Sequence, residues 1–439
     1  MDKILDPVDF LTQIARTNFA AFVSAVHRPR FKHSAFSANV CRAVDQFVDD
    51  VLAGKRPVLM LTAPPQHGKE IESSVSVLTA NRGWITHGEL CAGDVVYRPD
   101  GTTTRVIAIA SSMPSDMRVT LSDGAQIGTH SQHEWLLHPT WINGRAARIF
   151  ETCEVAARGT WCGTPGMRGA RANFQLPAVR PLENASKTLP LAPYTLGMWL
   201  GDGTRTEARI TVSGEDTAIF AGIEADGYAE TRRWRCNEKD FHASFAGIRQ
   251  PLRDLHLLNE GYRSEGGRKP KFIPGAYFSA SFAQRMELLA GLIDSDGYVY
   301  PKNGRVTFSN TEPELVKSVE RLVATFGWRV TTTWFEPRLS TSSIQGRERV
   351  AQVCFQPDVV IPCRVLRYRE AFKPKAMKRR RSVVRVETGD FGWGNCIQVE
   401  HPDGMYLVGD TLVPTHNSSL IARCLPPYLF GRLTGELPA

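Results

Sequence analysis

Residues 56–69, RPVLMLTAPPQHGK, run as an apolar strand into a Pro/Gly turn ending in Gly68 and Lys69, which is how a phosphate-binding loop begins. Such a loop needs backbone N–H groups facing phosphate oxygens, a lysine as mobile positive charge, and a Ser or Thr hydroxyl for Mg²⁺ where the next helix starts. Glu70 stands where that hydroxyl belongs. A carboxylate there repels phosphate, so the loop fails when read linearly. Its second half lies far downstream, because residues 418–432, SSLIARCLPPYLFGR, open on Ser418 and Ser419 and continue as a short amphipathic helix. Joining Lys69 to Ser418 gives APPQHGKSSLIARCLPPYLFG and restores the loop, with Ala63 replacing the first glycine of the strict pattern. Any fold for residues 70–417 is thereby constrained to bring its two ends together.

A chain of 439 residues is too long for one ordinary core and predicts two to four domains. With 42% hydrophobic and 22% charged residues it has the composition of a globular protein, and no run reaches the roughly 18 apolar residues of a membrane span. The start MDKILDPVDF lacks a basic region followed by an apolar run, so a cytoplasmic setting is expected, in a phage-infected or bacterial cell. The nine cysteines form no CxxC pair, which argues against a zinc ribbon or a disulfide framework. A net charge of +8 suggests a polyanionic partner.

At the downstream break the chain reads VPTHN before Ser418. Each residue type there has a chemical task. The Asn417 amide can attack its own carbonyl to form a succinimide, His416 can assist proton transfer, and Ser418 supplies a nucleophilic hydroxyl. At the upstream break, EIESSVSVLTANRGWITHGELCAGDVVYRPDG alternates apolar and polar residues around turn signals, as short β-strands do, and RVTLSDGAQIGTHSQHEWLLH adds two more strands about an SDG turn.

Together these segments resemble the Hint splicing domain of inteins. The resemblance implies that His133, two residues before Trp135, donates a proton to the departing nitrogen of the upstream junction, and that His130 and His138 do not. Inteins of the standard kind begin with Cys or Ser, whereas Glu70 occupies that place here. In GNCIQVEHPDGMYLVGD, Cys396 stands where aspartate is usual, and Trp135, Cys396 and Thr415 fall on the Trp-Cys-Thr signature of the intein class lacking an amino-terminal nucleophile. The implied sequence is attack by Cys396 on the Lys69 carbonyl, acyl transfer to Ser418, cyclisation of Asn417 and an O-to-N shift, with no cofactor. Trp135 is expected to shape the pocket and Thr415 to hydrogen-bond near the thiol. An ordinary thiol titrates near ~8.5, so orientation by the fold must contribute much of the rate.

Between these halves lie TLGMWLGDG, residues 195–203, and LAGLIDSDG, residues 289–297. Each reads as an apolar helix with small residues four apart, Gly197 and Gly201 in one, Gly291 and Ser295 in the other, so a partner backbone can approach closely. Packed as a pair they bring Asp202 and Asp296 together, and two such carboxylates can hold Mg²⁺ and activate water against phosphodiesters. The pair resembles LAGLIDADG homing endonucleases. That resemblance implies a double-stranded DNA partner, a lysine near the scissile phosphate at Lys271 in PKFIP, and an antiparallel saddle from strands such as ARITVSG and GRVTFSNT. The basic stretch KAMKRRR, residues 375–381, suits either phosphate contacts or a solvated charge run.

The flanks, with a helix expected over residues 33–54, resemble the amino-terminal part of a phage terminase large subunit. Only 22 residues follow Asn417, too few for the rest of such a motor. The expected organisation is an N-extein over 1–69, the two parts of a Hint domain over 70–190 and 371–417, a LAGLIDADG endonuclease over 191–370, and a C-extein over 418–439. The expected fold class is a mainly β, horseshoe-like Hint domain with an inserted α+β LAGLIDADG domain, flanked by a partial α/β P-loop ATPase. Mg²⁺ belongs to the nuclease, and ATP with Mg²⁺ only to the rejoined host, bound through Gly68, Lys69, Ser418 and Ser419. A monomer is expected, with the host in a phage packaging complex. Two rivals stand beside this reading: a homing endonuclease with an inactive splicing domain, and a nucleotide-binding terminase fragment.

Overall fold

The computed structural model describes residues 18–26, 35–55, 70–109, 113–141, 146–259, 269–337, 348–375 and 380–417. The two halves of the interrupted loop, 56–69 and 418–432, lie outside the described residues. In the upstream flank the helix expected over 33–54 is Ala35–Leu52, and Asp45 on it accepts a hydrogen bond from Phe19 N (2.8 Å), which starts helix Phe19–Val26.

Alternating sequence gives alternating burial. Strand Met117–Leu121 turns Met117, Val119 and Leu121 inward, and Glu134–Pro139 buries Trp135 and Leu137. The SDG turn closes the hairpin to Gln126–Thr129, with Gly124 in the left-handed region (φ 91°) and its N–H donating to Leu121 O (2.9 Å). Both chain halves contribute to these sheets: Ser382–Thr388 pairs antiparallel with Met117–Leu121, Trp393–Asn395 with Ile71–Glu72, and Ile397–Val399 with Thr103–Ile109. A mainly β unit is thus assembled from residues on either side of the insertion. It ends in a hairpin, Met405–Val408 with Val413–His416, that carries the last residues before Ser418.

The insertion is α+β. Helices Pro193–Asp202 and Phe282–Asp296 lie against each other, and each leads into antiparallel strands. Strands Arg209–Ser213, Asp240–Phe245 and Glu230–Arg235 form one sheet in that order; Gly297–Val299, Val306–Asn310, Val350–Phe355 and Val330–Phe335 form the other. ARITVSG and GRVTFSNT are therefore strands, as expected. Helix contact is close because glycines face each other. A Cβ on Gly197 would sit 2.9 Å from Leu292 N and 3.0 Å from the Gly291 Cα, and one on Gly291 would sit 2.8 Å from Met198 N.

The two units share a core that the domain boundaries do not predict. Leu78, Tyr97, Leu407 and Leu412 of the β unit belong to the same buried cluster as the paired helices. Residues 176–192 run without helix or strand between the units. Arg285, fully buried, donates to the carbonyls of Ala280 (3.0 Å), Thr325 (2.9 Å) and Leu182, tying this connector to the helix that carries Asp296. From helix Pro313–Ala324, Arg321 reaches Asp410 at the tip of the terminal hairpin (2.8 Å). Among the described residues no helix is long and apolar enough to cross a membrane.

One expectation needs correction. In the basic run 375–381, residues 376–379 lie outside the described residues, and Arg381 is neither a solvated charge nor a phosphate contact. It is buried, pairs with Asp123 (3.1 Å), and donates to the carbonyls of Thr411 (2.9 Å) and Leu412 (2.6 Å). A buried guanidinium needs its donors satisfied, and the hairpin tip with one carboxylate does so.

Candidate functional site

The antiparallel ladder ends with Glu72↔Gly394 and Ile71↔Asn395, so Glu70 and Cys396 are the next residues beyond it on the two chains. Both side chains are buried. On the other side of Glu70, its carbonyl accepts from His130 N (3.1 Å), and the His130 carbonyl accepts from His133 N (2.9 Å). The turn that carries His133 is therefore pinned to the residue that follows the upstream junction. Lys69 itself lies outside the described residues.

His133 is fully buried and its Nε2 lies 2.7 Å from Thr415 Oγ1. Trp135 packs edge-on against the imidazole with centroids 5.0 Å apart, and its Nε1 donates to Thr152 Oγ1 (3.0 Å). Thr152 in turn donates to the His133 carbonyl from its N (2.9 Å) and its Oγ1 (3.2 Å). Trp135 thus packs on His133 directly and is tied to its carbonyl through Thr152. The hydrogen bond described for Thr415 goes to His133, where a contact near the thiol was expected. Thr415 links the upstream histidine to the strand that ends in the downstream junction.

At that junction Met405↔His416 pairing leads to Asn417, whose N donates to Gly404 O (2.7 Å). In the orientation that satisfies both ends of its amide, Asn417 Nδ2 donates to Gly404 O (2.9 Å) and Oδ1 accepts from Val399 N (2.8 Å). The nitrogen that would attack is thereby held in place. His416 Nδ1 lies 3.5 Å from Glu134 Oε2. Gly404 adopts φ 65°, and a Cβ there would stand 2.9 Å from Asn417 O and 3.2 Å from His416 Nε2. The sequence reading passed over Gly404, although the Pro-Asp-Gly turn at 402–404 signals it. Ser418 lies outside the described residues.

His87 is a second omission. Its Nδ1 is 2.6 Å from Asn395 Oδ1, its Nε2 is 2.9 Å from Tyr406 Oη, and Asn395 Nδ2 donates to the His87 carbonyl (3.1 Å). Burial pushes this imidazole down to about 4, against the opposing pull of the Asn395 bond, so it is neutral at pH 7. Nothing local in the sequence marks it, since its partners lie some three hundred residues away.

The nuclease-like helices end together. Asp202 is pushed up to about 7, first by burial and next by the charge of Asp296, with Lys271 opposing. Burial raises Asp296 too, against the Asn310 hydrogen bond (2.7 Å) and Lys271. Such a pair releases its protons in two coupled steps. Lys271, expected near a scissile phosphate, is buried and donates to the carbonyls of Trp199 (2.9 Å), Gly201 (3.0 Å) and Gly203 (2.8 Å). It caps a helix carboxyl end and offsets the acid pair, as a cation does there. Among the described residues no three His, Cys, Asp or Glu side chains cluster as a metal site. Two hard carboxylates still fit Mg²⁺, which commonly takes one or two protein carboxylates and completes its shell with water and phosphate.

Residues 283–334 match the family model described as a LAGLIDADG-like domain. The replicative DNA helicase DnaB of Mycobacterium intracellulare is 28% identical over 389 residues, covering 82% of this chain and 61% of that protein. The chain thus spans about three fifths of the length of that curated relative. Among solved structures, mesophilic variants of the homing endonuclease I-DmoI align with 41% of this chain and 90% of theirs, at 14% identity and a TM-score of 0.25. The MchDnaB-1 intein aligns with 18% of this chain and 56% of its own, at 29% identity and a TM-score of 0.15. The gp41-1 intein covers 19% of this chain and 59% of its own, at 16% identity and a TM-score of 0.16.

Proposed function

We propose that residues 70–417 excise themselves from the chain, joining Lys69 to Ser418, and that the inserted unit is an endonuclease that cuts double-stranded DNA. The observation that carries the splicing half is the ladder that brings the strand ending just before Cys396 alongside the one that starts just after Glu70, with the Glu70 carbonyl bonded to the turn of His133 and His133 bonded to Thr415. Cys396 Sγ attacks the Lys69 carbonyl carbon, and the bond to the Glu70 nitrogen breaks as His133 supplies a proton. Ser418 Oγ takes the acyl group from sulfur. Asn417 Nδ2 closes on its own carbonyl, freeing the Ser418 amine, and an O-to-N shift leaves an ordinary peptide bond. Held groups replace an encounter in each step, and such positioning contributes up to about 7–11 kcal/mol of a barrier.

Asn417→Ala stops the last cleavage. In that variant a thiol such as dithiothreitol is expected to release a fragment of residues 1–69; recovery of only intact chain counts against the thioester.

For the nuclease, Asp202 and Asp296 would hold Mg²⁺, which supplies charge stabilisation and an activated water at a phosphodiester. Both carboxylates must be ionised to bind a cation. Because Asp202 stays protonated up to about pH 7, Mg²⁺ affinity is expected to rise with pH through that value. DNA carrying the uninterrupted host junction should be cut at one place by the unaltered protein and not by Asp202→Asn or Asp296→Asn. Equal cutting by either variant excludes the acid pair.

For the host, the reading is an ATPase whose phosphate loop is restored at Lys69–Ser418. The finer identity of a terminase large subunit rests on the flanking sequence alone and finds no support in the relative, which is named a replicative helicase.

A further inference from the structure

Glu134 follows His133 at the start of the strand Glu134–Pro139, and the two side chains go to successive residues of the terminal hairpin. His133 Nε2 lies 2.7 Å from Thr415 Oγ1, and Glu134 Oε2 lies 3.5 Å from His416 Nδ1. The His416 side chain is 1% exposed, so a charge on its ring must be met from inside the protein. The opposite edge of the imidazole faces the reacting groups. Around the point where a Cβ on Gly404 would stand are His416 Nε2 (3.2 Å), Asn417 O (2.9 Å) and the Asn417 side-chain atom that is Nδ2 in the orientation satisfying both ends of the amide. That nitrogen gives one N–H to Gly404 O (2.9 Å), which leaves its second for the step in which the ring closes.

We propose that Glu134 and His416 form a carboxylate–imidazole pair that carries a proton from the Asn417 amide to the departing Ser418 nitrogen. This rests on the splicing reading above and concerns its last cleavage. Glu134 holds the tautomer with the proton on Nδ1, which leaves a lone pair on Nε2. As Asn417 Nδ2 bonds to its own carbonyl carbon, one Nδ2–H bond breaks and the proton passes to Nε2. The bond from that carbon to the Ser418 nitrogen then breaks, and Nε2 returns the proton to the nitrogen as it leaves. The products are a succinimide and a free amine, with no proton gained or lost overall. Between the two transfers the ring is an imidazolium, whose charge Glu134 meets, as the carboxylate behind a catalytic histidine does in serine proteases. Glu134 touches none of the reacting atoms. It is a positioning residue, acting through His416.

Among the described residues, the ionisable groups on the elements around His416 have partners of their own. Glu151 pairs with Glu134 across the strand ladder and accepts from Cys153 Sγ (3.5 Å). On the turn that carries Gly404, Asp403 lies 2.8 Å from His401 Nδ1 and 2.7 Å from Arg98. Cys396, just ahead of the strand whose Val399 N bonds Asn417, donates from Sγ to Ile397 O (3.7 Å).

The test isolates the unaltered full chain and its Glu134→Gln variant unspliced at low temperature and shifts them to a series of pH values. It follows the branched ester, in which Ser418 Oγ carries residues 1–69 and Glu70 is a free amino terminus; hydroxylamine releases residues 1–69 from that ester and so measures it. Glu134→Gln should accumulate the branch, with its decay to ligated product slowed on the order of 10²-fold at pH 7. Parental decay should quicken with pH and level off once Nε2 is unprotonated. In Glu134→Gln that levelling should move down by about one pH unit or more, because the lost carboxylate favoured the imidazolium. Glu134→Asp, which keeps the charge, should hold the parental profile, and Glu134→Gln added to His416→Gln should slow decay no further. Parental decay in Glu134→Gln, or a folded Glu134→Asp with the glutamine profile, overturns the pair. Slowing with an unmoved profile, or equal slowing of dithiothreitol release from the Asn417→Ala chain, assigns Glu134 a packing role and overturns it equally. Failure of the unaltered chain to ligate at any pH refutes the splicing reading itself, a separate result.

Discussion

Cys396→Ala is expected to leave one 439-residue chain where the unaltered protein yields two shorter products. Cys396 directly follows the strand that pairs with Ile71–Glu72, whereas Cys91, Cys162 and Cys236 are exposed. Cys162→Ala is the matched control and should splice at the parental rate. The effect is large because no substitute exists in the site. Glu70 cannot form a thioester with the preceding carbonyl, so loss of the sulfur removes the first bond-forming step rather than slowing it. Gel separation followed by mass measurement reads the outcome, and splicing by the alanine variant would remove the thiol from the chemistry.

Gly291→Ala is expected to destabilise the inserted unit by about 3 kcal/mol or more. Helix propensity alone favours the change by ~1 kcal/mol. Packing decides against it, because the new Cβ would lie 2.8 Å from Met198 N, closer than real Cβ contacts approach, and the obstacle is backbone rather than a flexible side chain. Relief requires the two helices to separate, which also pulls Asp202 from Asp296. Gly197→Ala meets the same barrier from the other helix, at Leu292 N (2.9 Å). Denaturant unfolding should show the loss for both, while Gly227→Ala, which meets no atom within 4 Å but lies at φ 94°, reports the cost of backbone strain alone. A stability within 1 kcal/mol of the parent would mean the helices do not pack as described.

Much of this was legible in the residues because its signals are local. Period-two burial follows from the alternation in MRVTL and EWLLH, and the close helix pair follows from small residues four apart. The Asn417 and Gly291 assignments depend only on neighbours in sequence. Long-range partners left no such mark. His87, Asn395 and Tyr406 meet only after folding, and no spacing rule links them. Lys271 looks like a surface cation in PKFIP, yet three carbonyls at a helix end draw it inside. Arg381 looks like the end of a basic run, yet Asp123 and the hairpin tip bury it. The shared core was hidden too, since Leu407 and Leu412 read as ordinary strand residues until the inserted helices pack against them.

The union of the two units also bears on how the splicing residues are held. The terminal hairpin that carries Thr415, His416 and Asn417 has its tip fixed from both sides, by Arg381 of the β unit and by Arg321 of the insertion. Such a hairpin loses little further freedom when the junction reacts, which is the entropic part of the rate.

The most direct measurement is the intact mass of the unaltered chain after expression. The account predicts two species, one of 348 residues covering 70–417 and one of 91 residues joining 1–69 to 418–439. A single unprocessed 439-residue species, persisting on prolonged incubation at neutral pH, would contradict it.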